Sequence, residues 1–170
     1  MVAALLLLAI TVPGCVTDGP PPRPEPRPIP TQPVGIMPTL MAFSVGSATD
    51  TDNNGYLDTI EVVSFLYGET HPISLVTAGS FEFRLNDNKG VLLRRWVFDQ
   101  VQSEKAIIQP LPGPAYAFRL CLLDAGTDKL EFSAAEMRCI FTPVVTNPAL
   151  PPGSVTSGRG HTVQVGRIRK

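Results

Sequence analysis

Residues 80–98 read SFEFRLNDNKGVLLRRWVF, from Ser80 to Phe98. Phe81, Phe83 and Leu85 alternate with Glu82 and Arg84. That is the two-residue period of a strand with one buried face. Asn86-Asp87-Asn88-Lys89-Gly90 then supplies turn chemistry, because Asn, Asp and Gly tolerate the backbone angles of a tight reversal. Val91 to Phe98 returns with apolar and β-branched residues. The pair reads as a β-hairpin. One register puts Glu82 opposite Arg94, a cross-strand pair worth a few tenths of a kcal/mol.

The same reasoning extends outward. Leu40–Val45 is a short apolar strand, and Ile60–Tyr67 is rich in β-branched and aromatic residues. Ala117–Leu123, Met137–Val144 and His161–Ile168 complete the series. Ser103–Ile108 or Ser133–Met137 is expected to form a short helical turn. With 18 Pro and 14 Gly, the chain is rich in turns. About seven strands separated by turn signals predict an all-β fold, a small Ig-like β-sandwich. The strand order is not determined by these signals. The predicted organisation is a signal peptide over 1–14, a linker over 15–38 and the sandwich over 39–170. Net charge is −1, from 14 basic and 15 acidic residues, so no strong basic field exists to attract nucleic acid. The terminal cluster Arg167, Arg169 and Lys170 reads as a solvated chain end.

Val2 to Val12 is an apolar run, too short to span a bilayer as a helix and of the length of a signal-peptide core. It leads into Thr11-Val12-Pro13-Gly14-Cys15. Here the chain resembles bacterial lipoproteins, in which a small residue precedes the Cys that is lipidated after cleavage. The resemblance implies acylation of Cys15 and a place in the cell envelope, held to the membrane by lipid. Several acyl chains make such anchoring stable, whereas one gives only marginal binding. No Lys or Arg precedes the apolar run, so the start codon is expected upstream of Met1. After Cys15 the sequence DGPPPRPEPRPIPTQP predicts an extended polyproline-II spacer. From Gly19 to Pro38 it would reach roughly 60 Å at about 3.1 Å per residue.

Asp50 to Glu61 reads DTDNNGYLDTIE. A calcium loop of twelve residues places oxygen ligands at positions 1, 3, 5, 7, 9 and 12 with Gly at 6. Those positions hold Asp50, Asp52, Asn54, the Tyr56 carbonyl, Asp58 and Glu61, with Gly55 at the reversal. The stretch resembles the loops of EF-hands, dockerin modules and thrombospondin type 3 repeats, which implies a Ca2+ ion held by these six residues. The resemblance covers the loop alone. The residues just before Asp50, SVGSAT, lack the pattern of an entering helix, and no second loop of the same quality is present; Asp124-Ala125-Gly126-Thr127-Asp128 reads as a polar turn. The β-branched Ile60, Val62 and Val63 favour a strand after the loop over an exiting helix. A single loop between strands braces a fold rather than switching it, and weak sites suffice where calcium is abundant.

Cys121 and Cys139 form an even pair in an oxidising compartment. A hairpin centred near Leu130 would bring them together, so a disulfide is the expectation and two buried free thiols the alternative. Neither His71 nor His161 sits in a nucleophile, zinc or phosphate-loop motif. Trp96 and Phe98 are expected in the core, with an exposed sugar platform at Trp96 as the alternative. The reading is therefore a non-enzymatic, lipid-anchored envelope protein with a structural calcium site and an interaction or structural role, its partner an unknown envelope protein or glycan. A calcium-regulated EF-hand-like binder and a carbohydrate-binding module are the alternatives. A helix over residues 61–67 would favour the first, and a row of exposed aromatics the second.

Overall fold

The structure, a computed structural model, describes residues 31–110, 113–144 and 153–168. The strands are β1 (Leu40–Val45), β2 (Tyr56–Leu57), β3 (Thr59–Tyr67), β4 (Gly79–Asn86), β5 (Leu92–Phe98) and β6 (Ile107–Ile108). They continue with β7 (Ala115–Cys121), β8 (Ala134–Pro143), β9 (Val155–Thr156), β10 (His161–Gln164) and β11 (Gly166–Arg167). One helix, α1 (Gln100–Lys105), and a 3-10 turn at Leu123–Ala125 complete the set. The expected signal segment 1–14, Cys15 and the proline-dense part of the expected linker lie outside the described residues.

Two antiparallel sheets face each other. The first has the order β1-β3-β7-β6 and the second β10-β8-β4-β5, with β9 beside β8. Lettered in the immunoglobulin manner these are A-B-E-D and G-F-C-C′, the Ig-like sandwich arrangement. A small third sheet joins β11 to β2.

Alternation explains the packing. Ile60, Val62, Ser64 and Leu66 of β3 point inward, as do Phe81, Phe83 and Leu85 of β4 and Met137, Cys139 and Phe141 of β8. Phe81 lies at the centre, with ring centroids 4.8 Å from Tyr116, 5.0 Å from Phe118 and 4.8 Å from Phe141. Tilted aromatic contacts of this kind add to area burial. Trp96 is also buried, and its Nε1 donates to the Cys121 carbonyl at 2.8 Å. Phe98 packs against the same core, partly buried. The expected core positions of Trp96 and Phe98 are found, and the Trp96 platform is not.

The quoted hairpin is present, with a different register. Glu82 stands opposite Val97 and Arg94 opposite Leu85, with a register shift between Leu85 and Asn86. Pairing starts at Asn86–Leu92, so a longer reversal and the bulge together displace the inferred pairing by three positions, and the cross-strand ion-pair partner of Glu82 becomes Arg95, at 2.9 Å. The helical turn begins earlier than expected, at Gln100. Asp99 caps it by accepting from the Gln102 N–H, while Gln102 closes a capping box. Residues from Ala134 are strand, not helix. Residues 61–67 are strand as well, within β3.

The expected disulfide is absent: Cys121 and Cys139 are both free. The reason is topological. β7 and β8 are consecutive in sequence but belong to opposite sheets, so they form no hairpin. Cys139 points into the core, whereas Cys121 lies on the outward side of β7. Residues 32–38, expected as the end of a linker, already pack on the sandwich. The Gln32 side chain exchanges two hydrogen bonds with the Val76 backbone, both 2.8 Å, and Pro38 is buried.

Candidate metal centre

The loop between β1 and β3 lies at one end of the sandwich. Its reversal uses left-handed backbone at Asn53 (φ 59°) and Gly55 (φ 87°). Gly at the second of these avoids the penalty a Cβ would bring. Asp50 accepts from the N–H groups of Asn54 at 3.2 Å and Gly55 at 2.9 Å. Asp52 accepts from the Asn54 N–H at 3.1 Å. These bonds curl the chain so that its carboxylates converge. Oxygens of Asp50, Asp52 and Asp58 come within 4.8 Å of one another.

Asp58 is fully buried. Its carboxylate accepts from the Thr51 N–H at 2.9 Å, the Thr51 hydroxyl at 2.8 Å and the Asp52 N–H at 3.3 Å. Burial pushes its pKa up; the hydroxyls of Thr59 and Thr51 and the N–H groups of Thr51 and Asp52 outweigh that and hold it below the usual carboxylate value. Its backbone is tied down too. The Asp58 N–H donates to the Thr49 carbonyl at 2.8 Å, and the Asp58 carbonyl accepts from Leu122 at 2.7 Å.

The other expected ligands divide. The Asn54 amide nitrogen donates to Asp52 at 2.9 Å and to Asp128 at 2.6 Å, while its oxygen caps the Tyr56 N–H at 2.8 Å. Tyr56 and Leu57 pair with Arg167 and Gly166, so the C-terminal strand pins the loop from outside. The Gly55 carbonyl also accepts from the Ile168 N–H at 2.9 Å. Glu61 stands apart: it is exposed on β3, opposite Arg119, outside the converging group. The strand continues straight through position 12 and turns that side chain to the outer face.

Asp128 is the residue that spacing could not find. It is buried and reaches the loop through Asn54 from 74 positions away. No local signal marks it, since Asp124–Asp128 reads as an ordinary turn. Tyr56, Phe132 and Arg167 line an open cleft of about 1230 Å³ beside the loop.

The histidines have structural surroundings. His161 meets Phe43 edge-on at 4.4 Å. His71 is buried in the turn after β3. Cys139 is buried beside the Ser64 hydroxyl at 3.9 Å, and burial pushes its thiol up to about 12. Such a thiol stays protonated and is a poor nucleophile. Phe65 and Tyr67 stack at 6.5 Å on the outer face of the first sheet, each half-buried. No helix among the described residues is long and apolar enough to cross a membrane. No family model matches the chain, and neither curated proteins nor solved structures contain a significant match.

Proposed function

We propose that this chain is a non-enzymatic, lipid-anchored envelope protein whose Ig-like sandwich is braced by calcium at the β1–β3 loop. The observation that carries the proposal is the convergence of Asp50, Asp52 and Asp58 within 4.8 Å in a loop with calcium-loop spacing. The donor set is all oxygen, which fits a hard cation better than zinc, whose closed sites are built from Cys and His. Asp50, Asp52 and Asp58 are the core ligands, with Asn54 and the Tyr56 carbonyl beside them. Glu61 is left outside the set.

The role is to hold a domain in shape for interaction, with the anchor at Cys15 and the proline-rich spacer setting its distance from the lipid. An EF-hand switch requires a helix pair that opens on binding, and β3 follows the loop instead. A sugar platform built on Trp96 is disfavoured by its burial.

Thermal melts with calcium and with chelator test the reading. At ten times Kd, calcium adds about 1.4 kcal/mol, or about 5 °C in a domain of this size. Asp50→Ala, which removes the oxygen donor at position 1, is expected to abolish that shift, and Glu61→Gln to leave most of it. An equal melting temperature in calcium and chelator would refute the calcium brace. For the anchor, Cys15→Ser is expected to release the protein from the membrane fraction; unchanged partitioning would refute it.

A further inference from the structure

The outward face of the second sheet carries an unusual row. Arg84 of β4 stands directly opposite Arg95 of β5 on one side and Arg138 of β8 on the other. Three guanidinium side chains thus lie abreast on one rung, on strands about 4.8 Å apart. Like charges directly opposite one another destabilise a sheet. Nothing in the packing asks for them, since all three side chains are about half exposed, at 46%, 54% and 55%.

Two carboxylates accompany the three cations. Glu82 accepts from Arg84 Nε at 2.5 Å and from Arg95 Nε and Nη2, both at 2.9 Å. Glu136 accepts from Arg138 Nε at 2.6 Å. One positive charge is left over. The terminal nitrogens of Arg84 and Arg138 make no hydrogen bond among the described residues. Arg84, Arg95 and Arg138 border a shallow hollow of about 500 Å³, which Asn86, Leu92 and Thr156 also line.

We propose that this hollow binds the phosphoryl group of a small soluble ligand. A guanidinium fork matches the oxygens of phosphate, and its planar donors make strong bidentate contacts. A dianion with three free oxygens can bridge the central arginine to both neighbours, which a planar carboxylate does less well. It also relieves the repulsion along the row. The glutamates hold the Nε atoms, which leaves the terminal nitrogens of Arg84 and Arg138 free of hydrogen bonds among the described residues. The hollow is larger than one phosphate and leaves room for the group that bears it.

The test is titration of the folded protein with inorganic pyrophosphate by calorimetry, in parallel with vesicles of anionic phospholipid. Binding in the millimolar range or tighter is expected. Arg84→Gln should weaken it about tenfold or more. Arg84→Lys should recover part of the loss, and Arg119→Gln, on the other sheet, should leave binding unchanged. The proposal is overturned if pyrophosphate does not bind, or if Arg84→Gln binds like the parent. It is equally overturned if Arg119→Gln weakens binding as much, or if only the vesicles bind.

Discussion

Gly166 shows how much one residue can decide. It has φ 76°, and a Cβ there would collide with the Phe132 carbonyl and lie 2.7 Å from the Leu130 carbonyl. Only glycine lets β11 bend in and pair with Tyr56–Leu57. Gly166→Ala is expected to cost about 2–4 kcal/mol, from left-handed strain and the clash together. Chemical denaturation measures it. A loss under about half a kcal/mol would show that β11 does not need this conformation. Asp58 is decided by its neighbours in the same way. Its spacing marked it as a ligand, but the sequence did not reveal that hydrogen bonds from Thr51 and Asp52 already hold it. Glu61 shows the reverse: it has the right position in a twelve-residue pattern, and the straight run of β3 takes it away.

At the scale of elements, strands β3 and β8 meet across the core at Ser64 and Cys139. In the Ig arrangement these are strands B and F, the two that an inter-sheet disulfide joins in antibody domains. Here a hydroxyl and a thiol, 75 positions apart, occupy that place. Ser64→Cys is expected to form a disulfide with Cys139 under oxidising conditions and to add about 2–4 kcal/mol. Thiol titration and melts with and without reductant check it; two free thiols after oxidation would show the geometry to be wrong. The long strands were legible because their burial alternates over many residues. The two-residue strands β2, β6, β9 and β11 have no period to read. The expected Cys121–Cys139 bond failed for a related reason, since neighbours in sequence need not be neighbours in a sandwich. A Greek-key crossover placed them in different sheets. The hairpin register failed at a reversal longer than the turn residues implied and at a bulge, which inserts a residue without a composition signal.

The whole molecule has a predictable response to acid. Glu82, drawn down to about 2 chiefly by its hydrogen bond with Arg95, and Asp58, also held low, are carboxylates favoured in the folded state. A folded pKa below the unfolded value of about 4 means that the stabilisation is fully present above that pH. It is lost as pH falls towards about 2. The melting temperature should therefore drop steeply across that window, and Glu82→Gln should show a shallower drop from a lower start. A parallel curve for the variant would remove Glu82 from the account. The candidate site was partly legible at this scale as well: the loop pattern named four carboxylates, of which Asp50, Asp52 and Asp58 converge, while Asp128 and the clamp by β11 depend on contacts between distant parts of the chain. The row of arginines was equally hidden, because it exists only once β4, β5 and β8 stand side by side.

The pairing of β11 with β2 also gives the molecule a mechanical axis. Gln32 ties the entering chain to Val76, β1 runs from there to the loop, and the loop is fastened to Arg167 and Ile168. Tension applied between the two ends of the domain would pass along β1, through the reversal at Gly55, and out by β11. The ladder between β1 and β3 lies beside that path, and the short pairing of β2 with β11 is the contact that carries the load across. A cation gripped by Asp50, Asp52 and Asp58 would sit within the same line of force, where it would resist extension of the loop.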